Sequence, residues 1–262
     1  MQRFWGVTTL IDHGLPKQAQ LVPWGFKTAA EYAVENVEML SYLVREGKTH
    51  EALDLIKKSR WRRSGEAMAR GSEVHAAAEA INLGQRPDVP EHIKPYVEHY
   101  RAFLAEHRPT FEMAEAPVYS LTWHYAGTLD AIVVIDGRRC VLEMKTTDKR
   151  PGGLDGSRPP YPEVALQLCA YSRADGVGLN PERVTVERGR RYYVLQDESE
   201  LEPMPEIEGA FALVVSPYDY VLVPVDIGEE TWRTFLHVRE VARWSLETSR
   251  SVLGPPVGRA AA

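Results

Sequence analysis

The residues best placed to do chemistry fall in one stretch, Gly127 to Thr146, which reads GTLDAIVVIDGRRCVLEMKT. Asp130 precedes an apolar run, Ala131 to Ile135. Asp136-Gly137 separates this run from a second, Cys140 to Leu142, which ends in Glu143, Met144 and Lys145. An Asp-Gly pair between two such runs predicts a tight hairpin. Side chains alternate along a strand, so Glu143 and Lys145 share one face and Met144 takes the other. Two carboxylates that converge on one point repel each other, and a cation relieves the repulsion. Oxygen donors point to Mg²⁺ or Mn²⁺, one or two ions, with the backbone carbonyl of Met144 as a further ligand. Lys145 beside such an ion can orient or help deprotonate a water and can neutralise charge on a phosphate, with Thr146 adding a polar contact. This chemistry suits phosphodiester hydrolysis. The same residues also fit a surface hairpin carrying a Glu-Lys pair.

Two further groups have the spacing of a site. In GSEVH, Gly71 to His75, the histidine lies four residues before Glu79, so the two share a helix face. His75 either binds the ion through a ring nitrogen or contacts the scissile strand, and Glu79 would orient His75 or an outer water. In VALQLCAYSRA, Gln167 and Tyr171 are again four apart, while Leu166, Leu168 and Cys169 can face a core. Gln167 offers a donor and an acceptor, and Tyr171 a hydroxyl and a ring. Both suit the end of a DNA strand, held by phosphate contacts and base stacking. Partial burial beside a sheet is the plain alternative.

These residues need a scaffold. Periodicity predicts helices over 26–43, 49–56, 64–81 and from Pro90 to about Glu106, with Gly71 and Ser72 a candidate break. Met1 to Ala19 reads as irregular or partly extended. Strands are expected over Phe111 to Ser120, in the hairpin, over Arg183 to Leu195, and once or twice within Ala210 to Val225 around Pro217. Thr147 to Pro160 reads as a Gly- and Pro-rich loop bearing Lys149 and Arg150. Pro162 starts a helix to Ala174, and that crossover allows the hairpin to pair in parallel with the strand from Arg183. Asp197 to Glu208 is an acidic turn segment, and Gly228 to Thr248 a final helix. The order implies an α/β fold, a mixed sheet with helices on both faces and a helical N-terminal region. With no evident linker or repeat, one domain is expected over 1–262: mainly helical over 1–108, the sheet core over 109–248, and a frayed tail over 249–262.

With 262 residues, 44% hydrophobic and 26% charged, the chain has ordinary globular composition. It contains no apolar run of membrane-spanning length and no targeting segment at the start, so a cytoplasmic protein is expected. Cys140 and Cys169 sit in apolar surroundings and read as buried thiols; two cysteines cannot supply an iron–sulfur cluster. Net charge is −6, against a general nucleic-acid coat. Basic residues are nonetheless clustered, in Lys57, Lys58, Arg60, Arg62 and Arg63 and again over Arg183 to Arg191. Such a track can hold a phosphate backbone or form a solvated face.

Taken together, GSEVH at Gly71, GTLD at Gly127, EMK at Glu143 and QLCAY at Gln167 resemble the motifs of the PD-(D/E)xK nuclease superfamily. The likeness is to its RecB-like branch, with phage exonucleases and CRISPR-associated adaptation nucleases, and all four motifs come in family order. The proline that would precede the first acid is missing, as are the cysteines that hold an iron–sulfur cluster in some relatives. The resemblance implies a restriction-endonuclease-like core, with His75, Asp130, Glu143, Lys145, Gln167 and Tyr171 as site residues. It implies a metal-dependent DNA exonuclease on single-stranded or end-frayed DNA in recombination, repair or replication, with a recombination or replication protein as a further partner. A general or structure-specific endonuclease and a catalytically idle DNA-binding partner are the alternatives. No base-reading module is visible, so cutting is expected to be independent of sequence, with the Lys57–Arg63 cluster, Lys149 and Arg150 on backbone phosphates.

Overall fold

The computed structural model describes residues 1–16, 18–151, 161–179, 184–187 and 190–254. The chain forms two compact units, Met1–Leu15 with Glu98–Ala262, and Pro16–Val97. In chain order the first unit opens with β1 (Gln2–Gly6) and α1 (Val7–Gly14). The second holds α2 (Gln18–Glu35), α3 (Val37–Arg45) and α4 (Thr49–Asn82). A short 3₁₀ turn (Glu91–Ile93) and α5 (Lys94–His107) lead back.

The first unit then builds its sheet from β2 (Thr110–Ser120), β3 (Tyr125–Ile135) and β4 (Arg138–Thr146). After α6 (Glu163–Ser172) come β5 (Gly176–Gly178), β6 (Val184–Glu187), β7 (Arg190–Leu195) and β8 (Leu201–Pro203). β9 (Gly209–Val215), β10 (Tyr220–Pro224) and α7 (Glu229–Arg243) follow, and a π turn (Trp244–Thr248) ends the last helix.

Among the described residues the sheet has ten strands, in the order β10-β9-β4-β3-β1-β7-β6, with β2, β5 and β8 branching from β3. It is mixed: β4 runs parallel to β9 and β1 parallel to β3, while the other pairs are antiparallel. The sheet is open, flanked by helices. The apolar sides of α1, α6 and α7 pack on it through Leu10, Leu168 and Phe235 against Leu129, Ile132 and Val141. Phe4, Tyr119, Ala126 and Tyr193 form a smaller second cluster. The expected hairpin is present. Asp136 (φ 51°) and Gly137 (φ 76°) both take the left-handed conformation that a two-residue turn between twisted strands requires.

The α/β class, the mixed sheet and the helical N-terminal region agree with the sequence reading; several details do not. The opening residues follow the extended alternative over β1 and then turn helical in α1; what the sequence did not show is that β1 pairs with β7 and β3, a tertiary event with no local signal. The expected helix over 26–43 is two helices. The break falls at Asn36 (φ −116°, ψ 23°), whose side-chain amide and backbone N–H both donate to the Tyr32 carbonyl, at 2.9 and 3.1 Å.

The helices expected over 49–56 and 64–81 are a single 34-residue helix, α4. Its lysines and arginines are good helix formers, but charge on all sides erases the periodicity. Ser72 caps nothing and instead donates to the Met68 carbonyl at 3.1 Å. The parallel neighbour of β4 is β9, not the strand near Arg183; that stretch is the β6–β7 pair, bound to β1.

The acidic segment contains β8, which pairs with β5. Most of the 147–160 loop, part of the second basic cluster and tail residues 255–262 lie outside the described residues. No described helix is long and apolar enough to cross a membrane. Cys140 and Cys169 are free and buried.

Candidate metal centre

The sheet forks where the sequence places its acids. Along one edge, β3 pairs with β1 at Tyr125 and Ala126 and with β4 from Ala131 to Ile135. The described ladders leave Gly127 to Asp130 unpaired on that edge. β4 parts from β3 at Glu143 but stays in register with β9 as far as Thr146. The Met144 N–H at the fork is met by a side chain: it donates to Asp130 Oδ2 at 2.7 Å. N–H and C=O of one strand residue point to the same edge, so the Met144 carbonyl is turned towards this gap as well. The Met144 side chain is buried on the opposite face from its neighbours.

Glu143 is buried, with 3% of its surface exposed. Its Oε1 accepts from Lys145 Nζ at 2.5 Å and from Gln167 Nε2 at 2.8 Å. Its Oε2 is buried with no hydrogen-bond partner among the described residues. A buried carboxylate oxygen left unsatisfied costs on the order of 1–3 kcal/mol, and an oxygen-seeking cation would satisfy it. Lys145 is half-buried beside it. Burial pulls the ammonium pKa down, but the charge of Glu143 and its hydrogen bond outweigh this, and the net shift is upward. Lys145 is therefore a fixed cation at neutral pH rather than a free base.

Asp130 lies mid-strand in β3, half-buried and crowded by protein atoms. Burial first, then the negative charge of Glu143, raise its carboxyl well above the usual range; the Met144 N–H and Lys145 only partly oppose this. Glu115 also raises it. This residue of β2 escaped the sequence reading. It occupies the register position across from Asp130, between the pairs Ala114–Ala131 and Ala116–Leu129. Carboxylate oxygens of the two residues lie within 4.8 Å of each other. The backbone of Glu115 is left-handed, φ 49°, a conformation that strains a non-glycine residue in a strand. The available signal was a second acid in a strand pairing with the GTLD stretch, but pairing register is not written in one strand.

From α6, Gln167 also donates to the Tyr171 hydroxyl at 3.2 Å. Tyr171 is buried against Gly127: a Cβ there would lie 2.4 Å from Tyr171 Cε1. This contact explains why a glycine stands three residues before Asp130, and it joins two of the sequence motifs. Burial and Glu143 raise the Tyr171 hydroxyl pKa well above its ordinary value, so it is a hydrogen-bonding group and not an acid–base catalyst near neutrality.

The structure thus brings Asp130, Glu143, Lys145, Gln167, Tyr171 and Glu115 together in the first unit. His75 and Glu79 stand on α4 of the second unit, one half-buried and the other exposed. Lys57, Lys58, Arg60, Arg62 and Arg63 are exposed on the same helix, and Lys149 and Arg150 are exposed after β4. His75, Glu115 and Asp130 are donors of the types that hold a divalent metal ion. No protein-family model matches this chain, and no curated protein does.

Proposed function

We propose that the protein is a metal-dependent deoxyribonuclease of the PD-(D/E)xK type, an exonuclease acting on single-stranded or end-frayed DNA in recombination, repair or replication. The observation that carries the reading is the unsatisfied Glu143 Oε2, buried beside Lys145 and near a carboxylate, Asp130, whose ionised form is disfavoured without a cation. Acids held this way fit Mg²⁺ or Mn²⁺, one ion or two. Asp130, Glu143 and the Met144 carbonyl would be ligands, with Glu115 a further carboxylate. The ion, when bound, lowers the pKa of a coordinated water and neutralises charge on the scissile phosphate.

The remaining work belongs to the chain. Lys145, positive throughout the neutral range, orients the attacking oxygen and offsets charge on the phosphate. Gln167 fixes the Glu143 carboxylate, and Tyr171, whose hydroxyl accepts from Gln167, holds Gln167 in turn; both side chains are buried, so the strand-end contact expected of them gives way to this supporting role. Lys149 and Arg150 contact phosphates near the site. The restriction-endonuclease-like core and a single functional domain over 1–262 belong to the same proposal, as does a protein partner in recombination or replication. Two buried, unpaired thiols favour a cytoplasmic setting.

The test is cleavage of linear and circular DNA with Mg²⁺ or Mn²⁺. The parent is expected to degrade linear and spare circular DNA. Lys145→Ala should lower the rate about 10²–10³-fold with the fold unchanged by circular dichroism. Cutting of circles would replace the exonuclease by an endonuclease, and no cutting of either would leave an idle binder. A Lys145→Ala enzyme as fast as the parent would remove Lys145 from the site.

A further inference from the structure

The outward side of α4 carries an arrangement that the metal centre does not use. Ala52 and Ser59 are buried and mark the side of the helix facing its own unit. At 3.6 residues per turn, Trp61 points the opposite way, with Lys57 one turn before it, Met68 two turns after it, and Lys58 and Arg62 along one flank. Trp61 is 64% exposed and Met68 71%, a large apolar surface to leave in water on a charged helix.

The indole is held in place. The Arg60 guanidinium stacks on it at 4.2 Å from the ring centroid, and Arg60 is seated against Gly25 of α2, where a Cβ would lie 3.6 Å from its Cδ. Arg62 lies over the Tyr32 ring at 5.1 Å. Lys58 is paired with Asp54, and Arg63 with Glu31 at 2.7 Å. Among the described residues Lys57, Arg60 and Arg62 form no ion pair, so their charge is available to a ligand.

We propose that this face of α4, centred on Trp61 and flanked by Lys57, Arg60 and Arg62, binds single-stranded nucleic acid, a base stacking on the indole while the cations take the phosphates. Charge complementarity selects a polyanion. A pre-oriented exposed indole selects one whose bases are unpaired, because a duplex keeps its base faces inside its own stack. The inference deepens the nuclease reading, on which it rests for the strand's fate but not for its binding.

The experiment uses the full chain in EDTA, which separates binding from cleavage. Fluorescence anisotropy is read on a labelled oligothymidylate and on a duplex of the same length. Trp61→Ala should weaken single-strand binding about tenfold, Trp61→Phe should retain most of it, and neither should change duplex binding. Arg62→Ala should lower the slope of log affinity against log salt by about 0.7. Trp61 is exposed, so the variants should keep the parent's circular dichroism.

Unchanged single-strand binding in Trp61→Ala would overturn the proposal, and so would an equal loss on the duplex. If the parent sediments as an oligomer that Trp61→Ala dissociates, the face is a contact between copies and the proposal fails. A parent that binds as described but cuts nothing with Mg²⁺ sinks the nuclease reading and leaves this surface standing. A parent that cuts, with Trp61→Ala binding unaltered, does the reverse.

Discussion

Asp130 gives the metal centre a signature readable without DNA. Its carboxyl is raised because burial and then Glu143 penalise the ionised form. In an unfolded chain the group titrates near about 3.9. A raised folded value adds stability below the unfolded value and withdraws it as pH climbs through the folded one. An asparagine side chain at this position would mimic the protonated acid and can still accept from the Met144 N–H. In EDTA, Asp130→Asn is therefore expected to melt above the parent at neutral pH, with the gap closing as pH falls towards the ordinary carboxylate range. Adding Mn²⁺ should reverse the order, because a ligand that binds only the folded parent stabilises it by mass action. Thermal melts against pH, with and without metal, check both halves. An Asp130→Asn protein that melts below the parent at neutral pH in EDTA would show that the ionised acid carries no such burden.

Among the elements, the hairpin was legible and the fork was not. Asp136-Gly137 announces a turn locally, and alternation then puts Glu143 with Lys145. That β4 leaves β3 at Glu143, and that Glu115 on β2 falls opposite Asp130, depend on pairings between distant strands. Residues of α4 needed for one reading hid another. The charges of the Lys57–Arg63 cluster suggested a phosphate track, while their spread around the helix concealed that 49–82 is one element. That length is tested at Gly65, which stands mid-helix with nothing within 4 Å of where a Cβ would be. Gly65→Ala should stabilise α4 by about 0.5–1 kcal/mol, measured by urea denaturation. No gain would mean that the helix is interrupted there in solution.

At the scale of the whole molecule, the two units differ in how much they bury. The first holds the sheet, with fully buried Phe4, Tyr119, Tyr125, Leu129, Leu168 and Phe235. In the second, α2 and α3 rest on a small cluster of Leu40, Leu43 and Ala52, with Ala33, Leu55 and Ile56 packed against it, and leave Phe26, Val34 and Tyr42 exposed; its other buried apolar residues, Val74, Ala77, Ala78, Ile93, Tyr96 and Val97, lie on α4 and beyond. Local stability follows buried apolar contact. Amides of α2 and α3 are expected to exchange at least tenfold faster than those of β3, β4 and α6 in a hydrogen-exchange mass spectrometry experiment. Equal protection across both would indicate that the second unit is stabilised by something other than its own core.

By itself the sequence determined the α/β class, the turn at Asp136-Gly137, the burial of both cysteines and the sharing of a face by Glu143 and Lys145 and of another by Gln167 and Tyr171. The turn and the shared faces follow from residues within one element, where 2-residue and 3.6-residue periods hold whatever lies around them, while the class follows from the order of the elements and the cysteines' burial from their apolar neighbours. Tertiary structure alone decided that β9 rather than the strand near Arg183 flanks β4, that Gly127 admits the Tyr171 ring, that Glu115 crowds Asp130 and that one oxygen of Glu143 is sealed from water without a partner. Each of these requires two or more segments far apart in the chain to meet, and a single strand or helix carries no record of what will stand beside it.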